Sequence, residues 1–270
     1  MAQPRPITFL SDYGYEDEFA GVCRAVISQI VPGAPVIDLT HGIARQDVRQ
    51  GAVALANAVP SCPPGVHLAV VDPGVGSDRR AVAVEASEGR FLVGPDNGLL
   101  SRALDRLGGP RGAVELSRSP FRLEPVSATF HGRDLFAPVA ARLAGGAPLA
   151  EAGTPVEPGE LVTADLTQPR HEPGALVAHV VSSDTYGNAV LDAAHRDLVE
   201  SGLRLGDPIA ARAGSRRVRG VVARTFADVG PGILLLYEDA SGALALAVNG
   251  GDAAALLGVR AGDEVRLEAG

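Results

Sequence analysis

Lysine is missing from this 270-residue sequence: all 24 basic residues are arginine. Schiff-base chemistry and a P-loop are thereby excluded, since both need a lysine amine. Tryptophan is absent too, and only 4% of the chain is aromatic, so stacking on a ligand base falls to one of 7 Phe or 4 Tyr. The two cysteines, Cys23 and Cys62, lie in no metal-ligand spacing and are too few for a disulfide scaffold, which points to a reducing cytoplasm. No apolar run approaches the roughly 18 residues that span a bilayer, and Met1 to Pro6 lack the charged and apolar regions of a signal peptide. No basic block occurs. With a net charge of -8 and a pI near 5.3, nucleic acid and anionic membranes are disfavoured as partners and a small molecule is favoured. Neither G-x-G-x-x-G after a strand nor G-x-S-x-G is present, so dinucleotide and serine-hydrolase readings lose their support.

What is present falls into two patterns. With 46% hydrophobic residues the chain can build a substantial core, and two domains are expected. Ile7 to Leu10, Val36 to Leu39, Val66 to Val71, Ala81 to Ala86 and Phe91 to Val93 read as strands. Helical stretches follow Phe19, Asp47, Leu99 and Leu135. This alternation predicts an α/β domain over 1–168, a mostly parallel sheet flanked by helices, loosening from about residue 144 into a Gly- and Pro-rich connecting segment that ends at Pro173. Beyond it, Ala175 to Ser182, Arg217 to Ala223, Ile233 to Tyr237 and Ala243 to Val248 are closely spaced strands with little helical periodicity. They predict a smaller antiparallel, β-barrel-like domain over 174–270.

Three carboxylates stand where strands of the first domain end: Asp12, Asp72 and Asp96. In a mostly parallel sheet, ligands collect at that rim. Asp72 opens Asp72-Pro73-Gly74-Val75-Gly76, closed by Arg79-Arg80, a loop whose backbone can approach a ligand closely. Read alone it is ordinary turn chemistry, and Asp96-Asn97-Gly98 reads equally well as a helix cap. Of six histidines, His131 sits beside a glycine, among charged and hydroxyl residues at an element boundary, and His41 has a similar setting. Asp184-Thr185-Tyr186-Gly187-Asn188 places an acid, a ring and an amide in one turn.

Taken in order, Ser11-Asp12-Tyr13-Gly14, the Asp72 to Arg80 stretch, Gly94-Pro95-Asp96-Asn97-Gly98, Thr129 to Phe136, Asp184 to Asn188 and Ala247-Val248-Asn249-Gly250-Gly251 resemble the S-adenosylmethionine hydroxide adenosyltransferase family, related to the fluorinating and chlorinating enzymes. The resemblance covers nearly the whole chain. It implies attack of water or hydroxide at C5' of the ribose, expelling methionine and leaving adenosine, with no cofactor and no metal. It assigns Asp72, Arg79 and His131 to that chemistry. Arg79 can keep Asp72 ionised, Asp72 can orient the water, and His131 can accept or relay a proton; which of Asp72 and His131 takes it stays open. It places Asp12 on the ribose hydroxyls, Asp17 and Asp184 at the methionine amine, and Ser241 at its carboxylate. Tyr186 and Phe226 face the adenine ring, with Phe130, Asn188, Val248 and Gly250 completing the substrate site. A homotrimer with sites at subunit interfaces is implied as well. Gly132 and His131 replace a serine and a tyrosine of the halogenating relatives, and the segment between Gly76 and Gly94 is short, without the loop that the fluorinating enzymes insert. Competing readings are a halogenase, a non-catalytic sensor of S-adenosylmethionine or adenosine, and a metal-dependent hydrolase built on Asp12, Asp72, Asp96 and His131.

Overall fold

Successive side chains of a strand point to opposite faces, and in the first half of the chain both faces are apolar. In the computed structural model, which describes residues 3–164, 167–172 and 174–270, strand β1 (Ile7–Ser11) turns Ile7 and Phe9 into one core and Leu10 into another. It is flanked by β2 (Val36–Thr40) and β3 (Val66–Val70), and the sheet continues through β4 (Ala81–Glu85), β5 (Phe91–Pro95), β6 (Gly112–Glu115) and β7 (Thr154–Val156) in the order β2-β1-β3-β5-β4-β6-β7. Helices α1 (Phe19–Ile30) and α4 (Ala137–Ala144) cover one face through Cys23, Ile27, Val139 and Leu143. On the other, α2 (Val48–Ala58) contributes Leu55 and α3 (Ser101–Arg106) contributes Ala103 and Leu104. Two covered faces explain why these strands read as near-continuous apolar runs.

The sheet is parallel across β2, β1, β3 and β5 and antiparallel across β5, β4, β6 and β7. The change of pattern has a local cause. Only Ala86 to Arg90, built around the Ser87–Gly89 turn, separate β4 from β5, too short for a crossover and suited to a hairpin.

Contacts divide the chain into two compact units, Met1–Asp165 and Leu166–Gly270. Part of the Gly- and Pro-rich stretch is built into the first unit, because β7 pairs with β6 along the sheet edge. Pro173, the last residue of the predicted connecting segment, lies outside the described residues.

The second unit contains β8 (Arg170–Glu172), β9 (Ala175–Ser183), β10 (Ala189–Ala194), β11 (Pro208–Ala213), β12 (Arg216–Val222), β13 (Leu234–Glu238), β14 (Ala243–Val248) and β15 (Glu264–Ala269), with short helices α5 (His195–Glu200) and α6 (Ala253–Leu257). Pairing of β10 with β9 closes seven strands into a barrel, and β8 adds to the first residues of β9. Leu176, Ile209, Leu236, Leu246 and Leu267 fill its interior. All pairs are antiparallel except β12 with β13. Strands β10, β11 and β15 escape the sequence pattern because they are alanine- and charge-rich (AVLDAA, PIAARA, EVRLEA), with little intrinsic β preference. Among the described residues, no helix is long and apolar enough to cross a membrane.

Candidate active site

Asp72 follows the end of β3 by two residues, and its position is fixed from behind: Asn97 Nδ2 donates to the carbonyl of Val71 at 2.9 Å. Asn97 thus anchors the strand tip as well as capping its own turn, where Leu99 N–H donates to Asn97 Oδ1 at 3.2 Å. The loop then folds back on itself. At Gly76 φ is +78°, and a Cβ there would lie 2.5 Å from the carbonyl oxygen of Ala128, so only glycine lets this loop lie against the segment that carries His131. The return places Arg79 on Asp72 through two parallel hydrogen bonds, Nε to Oδ1 at 2.8 Å and Nη2 to Oδ2, with both side chains about nine-tenths buried or more. Such a fork fixes the carboxylate's plane as well as its position.

His131 stands immediately before a π-helical turn, Gly132–Phe136, that runs into α4. The turn is held by buried Asp134, which accepts the backbone N–H of Ser127 at 2.8 Å and both Nε and Nη2 of Arg133 at 2.6 and 2.8 Å. Arg79 Nη2 also lies 2.8 Å from His131 Nδ1. Arginine has donors and no acceptor, so Nδ1 accepts this hydrogen bond, and a neutral imidazole there carries its hydrogen on Nε2. Burial, and then the Arg79 charge, hold the imidazole below its ordinary pKa against the opposing pull of Asp72 and Asp134, which favours that neutral form.

Asp72 and His131 open into a cleft of about 290 Å³ lined also by Asp12, Tyr13, Asp17, Phe19, Arg45 and Gly132. Arg79 lies behind them and does not line it. Asp12 is steadied from one side, where Gln46 N–H donates to Oδ2 at 2.8 Å; Gln46 adopts a left-handed φ of +63°, a strain of the kind found where surrounding structure dictates the backbone. Phe130, expected to touch substrate, does not line this cleft. It packs edge-on against Tyr13 and Phe19 at 5.9 and 5.2 Å, with the Arg133 guanidinium over its ring.

The structure also separates bystanders from the site. Asp96 is buried and committed to structure: it takes Arg80 Nε at 2.8 Å and the Val162 N–H at 2.8 Å, tying the segment after β7 to the end of β5. His41 is fully buried beneath the cleft loop. Its Nδ1 meets Ser11 Oγ at 2.7 Å, its Nε2 lies 3.2 Å from Asp38 Oδ1, and its carbonyl accepts Gly14 N–H at 2.8 Å, so it braces Asp12 and Tyr13 from below. Among the described residues, the one trio of metal-type ligand atoms gathered within 4.8 Å of one another is His171, Asp197 and Glu200, none of which belongs to the cleft.

The remaining predicted residues lie in the second unit. Asp184 organises its own turn, with Oδ1 accepting the N–H groups of Tyr186 and Asn188 at 2.9 Å and Oδ2 accepting Asn188 Nδ2 at 2.7 Å. Tyr186 is left 79% exposed, a free aromatic face. Phe226 meets the ring of Tyr237 at 5.3 Å. The Tyr237 phenol is pushed above its ordinary pKa by burial and then by Asp184 and Asp239; Asp239 in turn accepts Ser241 Oγ at 2.6 Å. Val248 is buried at the end of β14 and Gly250 is exposed beyond it. Tyr237 was not singled out by the sequence; its place in a strand-like run hid it, and only the ring contact and the two acids reveal it. Tyr13 and Gln46 were missed likewise.

Comparison with known proteins places the whole chain in one family. Residues 7–153 match the SAM hydroxide adenosyltransferase N-terminal domain and residues 178–266 its C-terminal domain. The chain is 50% identical over 270 residues to an (R)-S-adenosyl-L-methionine hydrolase of Salinispora tropica, covering all of both chains. It is 27% identical to a fluorinase of an Actinoplanes species over 95% of each. A crystal structure of an uncharacterized conserved protein from Thermotoga maritima superimposes with a TM-score of 0.91 at 35% identity, covering 97% of this chain and 99% of that one.

Proposed function

The chain belongs to the SAM hydroxide adenosyltransferase family, and from that membership we propose that it hydrolyses S-adenosyl-L-methionine to adenosine and L-methionine at the Asp72, Arg79 and His131 cleft. The observation that carries the assignment is Arg79 bridging Asp72 and His131 from behind the cleft wall that these two residues form. A sulfonium is already a good leaving group, so the protein needs chiefly to hold one water in line behind C5' and remove a proton from it. As the C5'–O bond forms, the C5'–S bond breaks with its electron pair, and methionine departs as a neutral thioether. The Asp72 carboxylate takes the proton. His131, with its hydrogen on Nε2, donates to the water oxygen and steers the remaining lone pair to C5'.

Asp12, with one oxygen held by Gln46 N–H, keeps the other for the ribose hydroxyls. Asp17 faces the methionine amine. In the second unit, Tyr186 and Phe226 offer rings to adenine, Asn188, Val248 and Gly250 its edge, Asp184 the amine and Ser241 the carboxylate, once the Ser241 hydroxyl turns from Asp239. The enzyme works as a homotrimer with sites at subunit interfaces, without a cofactor, in the cytoplasm; its two free cysteines suit a reducing compartment. The S. tropica relative's name carries an (R) descriptor, and we assign the same sulfonium configuration to the substrate here.

Liquid chromatography of the purified protein with epimerically mixed S-adenosylmethionine tests this. Adenosine and methionine are expected in equal amounts, drawn from the (R) sulfonium epimer, with oxygen-18 from labelled water in the 5'-hydroxyl. Intact but bound substrate would make the protein a sensor; 5'-halo-adenosine formed in the presence of halide would make it a halogenase.

A further inference from the structure

Tyr13 brings an unpaired hydroxyl to the reacting end of the cleft. Its ring is held by Phe9, Phe19 and Phe130 at centroid distances of 6.4, 5.8 and 5.9 Å, and its backbone N–H by Ser11 Oγ at 3.3 Å. The phenol end rests on the backbone beside His131: a Cβ on residue 132 would lie 2.0 Å from Tyr13 Oη and 3.0 Å from Cζ. Gly132 is therefore the seat of this hydroxyl, and any side chain there would displace it. The hydroxyl has no hydrogen-bond partner among the described residues, although Tyr13 lines the same cleft as Asp72 and His131. Burial pushes the phenol well above its ordinary pKa, with Cys23, Asp12 and Asp72 adding to the effect and Arg79 opposing it, so it stays protonated. A polar group in such a place is unsatisfied until something in the cleft pairs with it.

A water molecule has two hydrogens and two lone pairs to place. In the reaction proposed above, one hydrogen goes to Asp72, one lone pair accepts from His131 Nε2, and the other lone pair attacks C5'. The second hydrogen has no acceptor in that account. We propose that the Tyr13 hydroxyl oxygen accepts it, making Tyr13 a water-holding residue of the site and Gly132 the residue that admits it; this rests on the hydrolysis reading. With all four positions of the water assigned, its orientation is fixed by three side chains from separate loops. Thr129 also lines the cleft but is exposed and lacks the aromatic cage that immobilises Tyr13.

The test is steady-state kinetics with a thermal midpoint measured alongside. Tyr13→Phe keeps the ring and removes the hydroxyl, and kcat is expected to fall about tenfold or more, the effect of one hydrogen bond made in the transition state. KM and the thermal midpoint should stay close to wild type, a split that a purely structural role would not produce. Gly132→Ala should lower kcat by displacing the same hydroxyl, and in the Tyr13→Phe background its further effect should be smaller than in wild type, because the 2.0 Å clash with Oη is gone and only the 3.0 Å contact with the ring carbon Cζ remains. Wild-type kcat in Tyr13→Phe, or losses that multiply in the double variant, would overturn the role of Tyr13 and leave the hydrolysis standing. A wild-type protein that forms no adenosine would overturn the hydrolysis itself.

Discussion

At the scale of single residues, the decisive atom is Arg79 Nη2, which reaches Asp72 and His131 together. Because arginine cannot accept a hydrogen bond, this contact supports the different tasks that the proposed reaction gives to two groups the sequence leaves interchangeable. The consequence can be measured in two ways. Nitrogen-15 shifts of the His131 ring should report a neutral imidazole protonated on Nε2 near pH 7. Asp72→Asn should lower kcat by roughly a hundredfold to ten-thousandfold, the usual worth of a placed proton acceptor. His131→Gln, which retains an N–H donor, should keep far more activity than His131→Ala. If the two His131 variants fail equally and the ring is found protonated on Nδ1, the proton goes to His131 and the division of labour is reversed.

At the scale of elements, strands of the first sheet meet around one buried polar cluster. Thr8 on β1 faces His67 on β3, and Thr8 Oγ1 lies 2.9 Å from His67 Nδ1. Arg90, just before β5, points Nη1 at His67 Nε2 at 3.4 Å. Arg90 can only donate, so Nε2 accepts, and the ring is neutral with its hydrogen on Nδ1. Burial, then Arg90, lower the His67 pKa to about 4. The sign of the effect follows from proton counts. Between about pH 6.5, the unfolded value, and pH 4, the unfolded chain binds more protons at His67 than the folded one, so stability falls as pH falls through that window. Above 6.5 the contribution is fully present; below 4 no more is lost. The total is on the order of 3 kcal/mol, large beside the 5–15 kcal/mol typical of a domain. Urea unfolding across this range should therefore show a steeper acid loss in wild type than in His67→Gln, which stays neutral; parallel curves would contradict this account.

At the scale of the whole molecule, the chain is two units of different architecture, an α/β sheet and a closed barrel, each with its own core. The proposed substrate contacts are distributed over both. Substrate contacts proposed on both units suit the proposed assembly in which neighbouring subunits complete one another, and light scattering coupled to gel filtration should find particles of three 27.6 kDa chains. A monomer with full activity would remove the interface from the mechanism. The same distribution predicts where sequence reading loses precision. Asp12, Asp72 and His131 stood out as candidates at element boundaries, but read alone each was ordinary turn or structural chemistry, and the order of motifs shared with the family is what gave them roles. Tyr237 and Gln46 did not stand out, since nothing local distinguishes them; what gives them meaning is a ring in one case and a carboxylate in the other, each brought close only by the fold.

The family resemblance, the alternation that builds the first sheet and the strand-rich second half were all readable along the chain, and the resemblance also named Asp72, Arg79 and His131 as the candidate reacting set. These are local properties: periodicity, turn chemistry and the order of short strings. The tertiary structure alone decided that Asp96 is a structural tie, that Phe130 cages Tyr13, and that Gly132 leaves room for a hydroxyl from another loop. It also decided which nitrogen of His131 carries the hydrogen. Those outcomes depend on distances of a few ångströms between segments far apart in the chain, and no window along the sequence contains both partners.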